Sequence, residues 1–542
     1  MNTTPHRQAS AGILPAQSGS TTAIPGVRFV EPVLLLVSLA LSVLGAVIGM
    51  QLIISLGISA NTSIIGALIA MVFARIPVEL ARRFRVLERQ NLVQTAISSA
   101  TFGAANSLMI PIGVPYAMGM PELATPMLIG ALAAMLVDGA MLYALFGSKI
   151  FPSSGSWPAG VATAEAIWAG DRGGRKAAYL GAGVAAGVAG ALLGVPMSAF
   201  GAAFLGNLAA LTMFGIGLLM RGYSEVLIGI DLAKAYIPHG LMIGAGIVAM
   251  LQVVAEIRTS HRASANDDEA CGVSQARAGR MLGVGYLVYL LIALMVVALT
   301  GGFGEMSRGM LIGFVLYAAF SAYVHELIVG IAAMHSGWFP AFAVALITLT
   351  IGILIGFPPH ALAVLVGLSA ATGPAFADMG YDLKTGYLLR GSGKNPELEL
   401  AGRRQQFLAA MFGFVVAGVV VVLFHKGFFE RGMLPPVDRV YAASIKAGSS
   451  WEIAQSLMLW AIPGALLQWI GGARRQLGVL LSTGMLLMSP LAGFAVLAGL
   501  AIRYGLLRWR GDRDVAQMSA FAGGVIAGDA IFSFTSAVIK MK

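Results

Sequence analysis

Long apolar runs separated by short polar or basic stretches set the pattern of this chain. Val33 to Met50, Met281 to Leu299 and Phe407 to Phe424 are apolar on every face and match the ~20 residues that a helix needs to cross a bilayer. Such runs fall near residues 33–54, 58–76, 91–113, 126–147, 177–195, 200–220, 223–237 and 239–257. A polar stretch at 258–280 follows, and then a second series near 281–300, 309–333, 337–357, 360–377, 404–425, 453–470, 476–507 and 515–539. The pattern predicts an all-α polytopic membrane protein of about sixteen transmembrane helices in two pseudo-repeated halves, 31–257 and 281–542. The run at 476–507 divides as one broken element or two. Residues 1–30, rich in Ser, Thr and Pro, read as a flexible N-terminal tail rather than a cleaved signal. The best internal match pairs Ser98-Ser99-Ala100-Thr101 with Ser369-Ala370-Ala371-Thr372.

Composition removes the other classes. Of 542 residues, 58% are hydrophobic and 11% charged, whereas soluble domains carry roughly a quarter charged residues. A transmembrane β-barrel is excluded, because its strands alternate polar and apolar positions. The net charge of +10 would suggest nucleic acid in a soluble protein. Here Lys and Arg flank apolar runs, so the charge is read as topology, the lipid bilayer is the expected partner and no nucleic acid is. Arg75, Arg82, Arg83, Arg85 and Arg89 place their loop in the cytoplasm, as do Arg390, Lys394, Arg403 and Arg404, and Arg503, Arg508, Arg510 and Arg513. The single Cys271 excludes an internal disulfide framework.

Lys149, Arg172, Arg175 and Lys176 ask both ends of Ile150–Gly170 to lie on one side of the membrane. The Pro and Gly of Phe151-Pro152-Ser153-Ser154-Gly155-Ser156-Trp157-Pro158-Ala159-Gly160 predict a re-entrant or broken element lining the site, with an ordinary turn as the alternative. Trp157, Trp168, Trp338, Trp451 and Trp509 fall near segment ends and read as interfacial anchors.

Ionisable groups inside such segments are expensive and need a partner or a wet cavity. Asp138, Glu165, the group Glu225, Asp231 and Lys234, and the pair His325 and Glu326 stand out on that ground. A solute carrying an ammonium, a carboxylate and amides would need a partner for each. Glu165 or Asp138 suits the ammonium, and Lys384, Lys234 or the broken backbone from Ser153 to Gly160 suits the carboxylate. Gln94, Asn106 and Tyr387 suit the amides. Asp231 and Lys234, three apart, also read as an internal pair. His325 and Glu326 read as a proton-coupling couple or as a satisfied interhelical contact. Asp382 and Lys384 read as gate or site, or as markers of the cytoplasmic mouth.

Enzyme motifs fail. His325-Glu326 has Val at 329 where a zinc protease needs His. His335 and His360 lack supporting carboxylates, so no metal site is expected. Neither a Gly-x-Ser-x-Gly word nor a phosphate-binding loop is present, so no catalytic residue or cofactor is expected and transport would be secondary.

Several words, taken in order, carry a resemblance: Leu87-Glu88-Arg89-Gln90-Asn91-Leu92-Val93-Gln94-Thr95, the Phe151-Pro152-Ser153 stretch through Glu165, and Asp382-Leu383-Lys384-Thr385-Gly386-Tyr387-Leu388-Leu389. Arg403-Arg404-Gln405-Gln406 and Gly523-Gly524-Val525-Ile526-Ala527-Gly528-Asp529-Ala530 follow. The chain resembles the oligopeptide transporter family, which includes the yellow-stripe metal-chelate carriers. It departs from the family pattern in residues inserted around Ser154 to Trp157, in a longer loop at Gly391 to Leu400, and in Asp529 as the acidic residue of the last helix. The resemblance implies duplicated helical bundles that import peptides or peptide-like chelates with protons by alternating access. The proton gradient is the implied energy source, a plasma or bacterial inner membrane the implied location, and a homo-oligomer is left open.

Overall fold

The computed structural model describes residues 27–57, 62–74, 79–171, 175–260, 272–302, 306–336, 341–448, 450–487, 489–510 and 515–540. Most of the N-terminal tail, Arg75, Arg172, Trp338, Arg513 and the His261 to Cys271 part of the central loop lie outside them.

The first series folds as α1 (Pro32–Leu56), α2 (Thr62–Phe73), α3 (Glu79–Arg82), α4 (Leu87–Phe102), α5 (Ile110–Met118), α6 (Ala124–Leu145), α7 (Pro158–Asp171), α8 (Arg175–Leu192), α9 (Met197–Ala202), α10 (Leu208–Ile228) and α11 (Ile237–Ser260). The second folds as α12 (Gln275–Leu299), α13 (Arg308–Ser336), α14 (Ala341–Ile355), α15 (Pro359–Ala371), α16 (Pro374–Leu389), α17 (Pro396–Phe429), α18 (Pro436–Ala447), α19 (Trp451–Arg475), α20 (Leu477–Leu486), α21 (Pro490–Arg510) and α22 (Val515–Lys540). The described residues hold no strand. Ten helical stretches among them are long and apolar enough to cross a membrane, one joining α4 to α5 and one joining α15 to α16. Several boundaries differ from those read in the sequence, and the run at 200–220 is broken between α9 and α10. The run at 223–237 is divided, since α10 continues to Ile228 and residues 229–236 turn. The run at 360–377 breaks between α15 and α16.

Close pairings join the two halves: α8 packs on α22, α11 on α19, and α10 on α20 and α21. Lipid offers no hydrophobic drive for such contacts, so small residues that admit a neighbouring backbone supply the van der Waals gain. Gly183 and Gly187 of α8 abut the backbone of α22 at Phe521 and Val525, and Gly524 and Gly528 of α22 abut α8 at Leu180 and Val184.

The centre is unusual in being polar. From Gln90 to Phe102 every residue of α4 is buried, and so is every residue of α16 from Pro374 to Gly386. A helix buried on all sides is normally apolar, so these two must satisfy their polar groups within the protein. Each is also irregular beside its polar residues. Beyond α4 the chain runs through a π-helical segment, Gly103–Met109, into α5. Before α16, Thr372 is extended and Gly373 takes φ +95°, after which Pro374 starts the helix; positive φ suits Gly and the first helical position suits Pro.

Between α6 and α7 the chain is irregular and packs inward, with Phe146, Phe151, Ser153 and Trp157 buried. The Trp157 amide donates to the Met334 carbonyl of α13 at 2.8 Å. Its ring meets Tyr381 of α16 edge-on at 6.1 Å. This corrects the reading of Trp157 as an interfacial anchor, because its ring fills the space left by Gly380. Trp451 and Trp509 are exposed.

Candidate functional site

α16 carries Asp378 and Asp382 one turn apart, facing the hydroxyl and amide groups of α4. Gln94 Nε2 donates to Asp382 Oδ1 at 2.6 Å, and Ser99 Oγ reaches Asp382 Oδ2 at 3.4 Å. Ser98 Oγ donates to Asp378 Oδ1 at 2.7 Å and is itself 2.9 Å from Ser63 Oγ on α2. Both carboxyl groups are fully buried, and neither is paired with a cation among the described residues. Asp378 Oδ2, Gln94 Oε1 and the Tyr381 hydroxyl make no hydrogen bond of normal geometry there. Two dehydrated carboxyl groups without a counter-charge are costly unless a proton or a cationic ligand neutralises them.

The other end of α16 is cationic. Lys384 Nζ donates to the Ser153 carbonyl at 2.9 Å and lies 5.2 Å from the centre of the Tyr387 ring. The irregular segment therefore presents a backbone carbonyl to the lysine. Thr385 Oγ1 bonds Gly160 O at 3.0 Å, which binds α7 to the same helix.

Beyond Lys384 a buried ion network ties α16 to α17. Arg390 grips Glu399 with two nitrogens, at 2.8 and 3.1 Å, and donates to Gln406 Oε1 at 2.8 Å. Arg403 reaches Glu399 at 3.3 Å and the Phe146 carbonyl at 2.9 Å. Gln406 Nε2 then donates to the Asp382 carbonyl at 2.6 Å. A continuous polar path thus runs from this ion network to the aspartates.

A second buried cluster lies on the far side of the α15–α16 break. Tyr289 of α12 donates to Asp138 Oδ1 at 2.6 Å, and the Gly373 amide donates to Asp138 Oδ2 at 2.6 Å. Glu326 of α13 adjoins Tyr289. Both of its oxygens are buried without a hydrogen bond of normal geometry among the described residues.

The residues expected from the sequence therefore sort into groups. Gln94, Asp382, Lys384, Tyr387 and Ser153 come together along α16, and Asp138 joins Glu326. His325 turns away from Glu326: its Nε2 pairs with Ala341 O at 2.8 Å, and its Nδ1 is 3.5 Å from Thr372 Oγ1. Asn106 bonds within its own helix, to Phe102 O at 3.4 Å. Glu165 is exposed on α7 and lies in neither cluster. Asp231 pairs with Lys234 at 3.7 Å and with Arg221 at 2.7 Å in the turn after α10. Asp529 accepts the Ser198 amide at 2.7 Å.

Sequence reasoning missed Asp378, Glu399, Arg390 and Tyr289. Asp378 had a readable signal, since it stands one helical turn before Asp382 and so shares its face.

Gly380 is where α16 and the irregular segment press closest, because a Cβ there would lie 2.1 Å from the Trp157 ring. Gly380→Ala is expected to lower stability by roughly 1–3 kcal/mol, the usual cost of overpacking. Thermal unfolding in detergent measures this, and an unchanged midpoint would mean that the segment yields without cost.

Apolar helices around a buried, charged centre define a multi-pass helical membrane protein. The chain belongs to the oligopeptide transporter family: the family described as OPT oligopeptide transporter protein matches residues 32–255 and 229–540. No curated protein matches it.

Proposed function

We propose that the protein is a secondary active transporter that imports small peptides or peptide-like compounds, driven by protons, by alternating access. The observation that carries this reading is the Asp378 and Asp382 pair, buried on a broken helix with no cationic partner among the described residues. In this reading the pair receives the ammonium end of the substrate. Lys384, further along the same helix, receives the carboxylate, and Gln94 with the serines of α4 holds the amides. A zwitterion then meets both signs of charge within one element, which suits peptides better than a passive ion path would. Membership of a transporter family supports transport over enzymatic chemistry.

The irregular chain at Phe146–Trp157 and the break at Gly373 support alternating access, because elements with freed backbone can shift against regular helices.

Uptake by purified protein in proteoliposomes tests the reading. The panel is di- to hexapeptides, glutathione, and iron and nickel chelates, each with and without an inward proton gradient. Concentrative peptide uptake is the expected result. Uptake restricted to chelates would replace the peptide with a metal chelate as cargo, and the absence of any accumulation by correctly inserted protein would overturn active transport.

A further inference from the structure

Among the described residues Glu326, like Asp438 of α18, is a carboxyl group buried without a normal hydrogen bond to either oxygen, and Glu326 alone of the two lies beside a second buried carboxyl group. It lies on α13 with no exposed surface. Its neighbour Tyr289 spans the gap to Asp138, whose second oxygen holds the Gly373 amide. We propose that Asp138, Tyr289 and Glu326 form the proton site of the transport cycle, and that its occupancy is transmitted to the substrate helix through the Gly373 amide. This rests on the transport reading above.

The groups around the trio are few. Tyr323, on the same helix as Glu326, meets Tyr286 of α12 edge-on at 5.8 Å. His325 faces α14 and Thr372, on the other side of the break. Neither Asp138 nor Glu326 has an ion-pair partner among the described residues. Asp138 accepts from the Tyr289 phenol and Glu326 lies beside the same residue, so two ionised carboxylates there, with no cation between them among the described residues, would be costly.

Gly373 supplies the mechanical link. Its amide is the first donor of α16, and Asp138 caps it from another helix. Hydrogen bonds to an ionised acceptor are roughly twice as strong as neutral ones. A proton arriving at Asp138, directly or by way of Glu326 and Tyr289, weakens that cap. The start of α16 is then freer to move, and Asp378 and Asp382 follow on the same helix. The only bond made and broken is an O–H bond of the carboxyl pair: one proton binds from one side of the membrane and leaves to the other.

The partner of Glu326 is therefore Asp138 through Tyr289, and the expected couple of His325 with Glu326 does not form, because the imidazole is engaged elsewhere.

Glu326→Gln and Tyr289→Phe, each checked for monodispersity, test the assignment in proteoliposomes loaded with a pH-sensitive dye, with tetra-alanine as probe. For each proton coupled, one pH unit drives about tenfold accumulation in the wild type. Glu326→Gln is expected to lose both accumulation and lumen acidification while still exchanging preloaded tetra-alanine. Tyr289→Phe, which removes one hydroxyl, is expected to shift the acid dependence of uptake. Wild-type acidification and accumulation in Glu326→Gln would overturn the proposal, as would an unchanged acid profile in Tyr289→Phe where Glu326→Gln fails to insert. If the wild type accumulates no peptide, the transport reading fails first. The proton site is then judged by infrared titration, where a carboxyl band present in the wild type must be missing from Glu326→Gln, and its persistence would overturn the assignment.

Discussion

Asp382→Asn is expected to abolish peptide uptake while leaving the protein folded and inserted. The substitution keeps the shape of the side chain. Its remaining oxygen can still accept from Gln94 Nε2, now at 2.6 Å, and the new amide faces Ser99 Oγ, whose hydroxyl turns to accept. What disappears is the negative charge. Removing one partner of a buried, hydrogen-bonded charge pair costs about 2–5 kcal/mol, which at 1.4 kcal/mol per factor of ten is roughly thirtyfold to several thousandfold in uptake efficiency. Asp378→Asn is expected to act in the same direction, since Asp378 is held by Ser98 and has an oxygen free of normal hydrogen bonds. Initial-rate uptake over a range of peptide concentrations, with surface-labelled protein as the reference, measures both. Uptake by Asp382→Asn within about threefold of wild type, well under the loss expected for a charged pair, would remove the aspartates from substrate recognition.

How much of this site the sequence shows depends on what a hydropathy pattern measures. It measures transfer to lipid, so it finds the outer helices well and reads α16 as the end of one apolar run followed by a polar word. In the fold that word is a helix buried in protein, where polar groups are satisfied by other polar groups. The helix at Pro396 was readable for a local reason: Asn395 precedes Pro396 and two glutamates, a cap, first-turn proline and acidic first turn in sequence. Taking Gly391 to Leu400 as loop hid Glu399. The pairings across the centre, such as Gln94 with Asp382 or Tyr289 with Asp138, join residues far apart in the chain, and no single sequence displays them. The short match of Ser98–Thr101 with Ser369–Thr372 gains a physical setting without establishing a repeat. Each word stands just before an irregularity, the π-helical segment in one case and the Gly373 break in the other. Small residues there let neighbouring helices come close where the backbone departs from regular helix.

Glu399→Gln is expected to produce the largest loss of stability among single polar substitutions. Among the described residues Glu399 is the only carboxylate bridging Arg390 and Arg403, and all three are nearly dehydrated, with 1%, 6% and 4% of the side chain exposed. Arg390 holds it through two nitrogens, the geometry that makes guanidinium–carboxylate pairs strong. The neutral amide leaves two guanidinium groups buried together, and breaking a buried pair in this way costs about 3–5 kcal/mol. Arg403 keeps the Phe146 carbonyl and ring, and Arg390 keeps Gln406, so the lower half of that range is the better expectation. Removing a cation as well should recover part of the loss: Arg390→Gln combined with Glu399→Gln restores neutrality at the pair and is expected to be more stable than Glu399→Gln alone. Thermal unfolding of the purified proteins in one detergent gives the ordering. If Glu399→Gln unfolds with the wild type, the network is worth no more than a surface ion pair, about 1 kcal/mol or less, and α16 is held against α17 by Gln406 and packing alone.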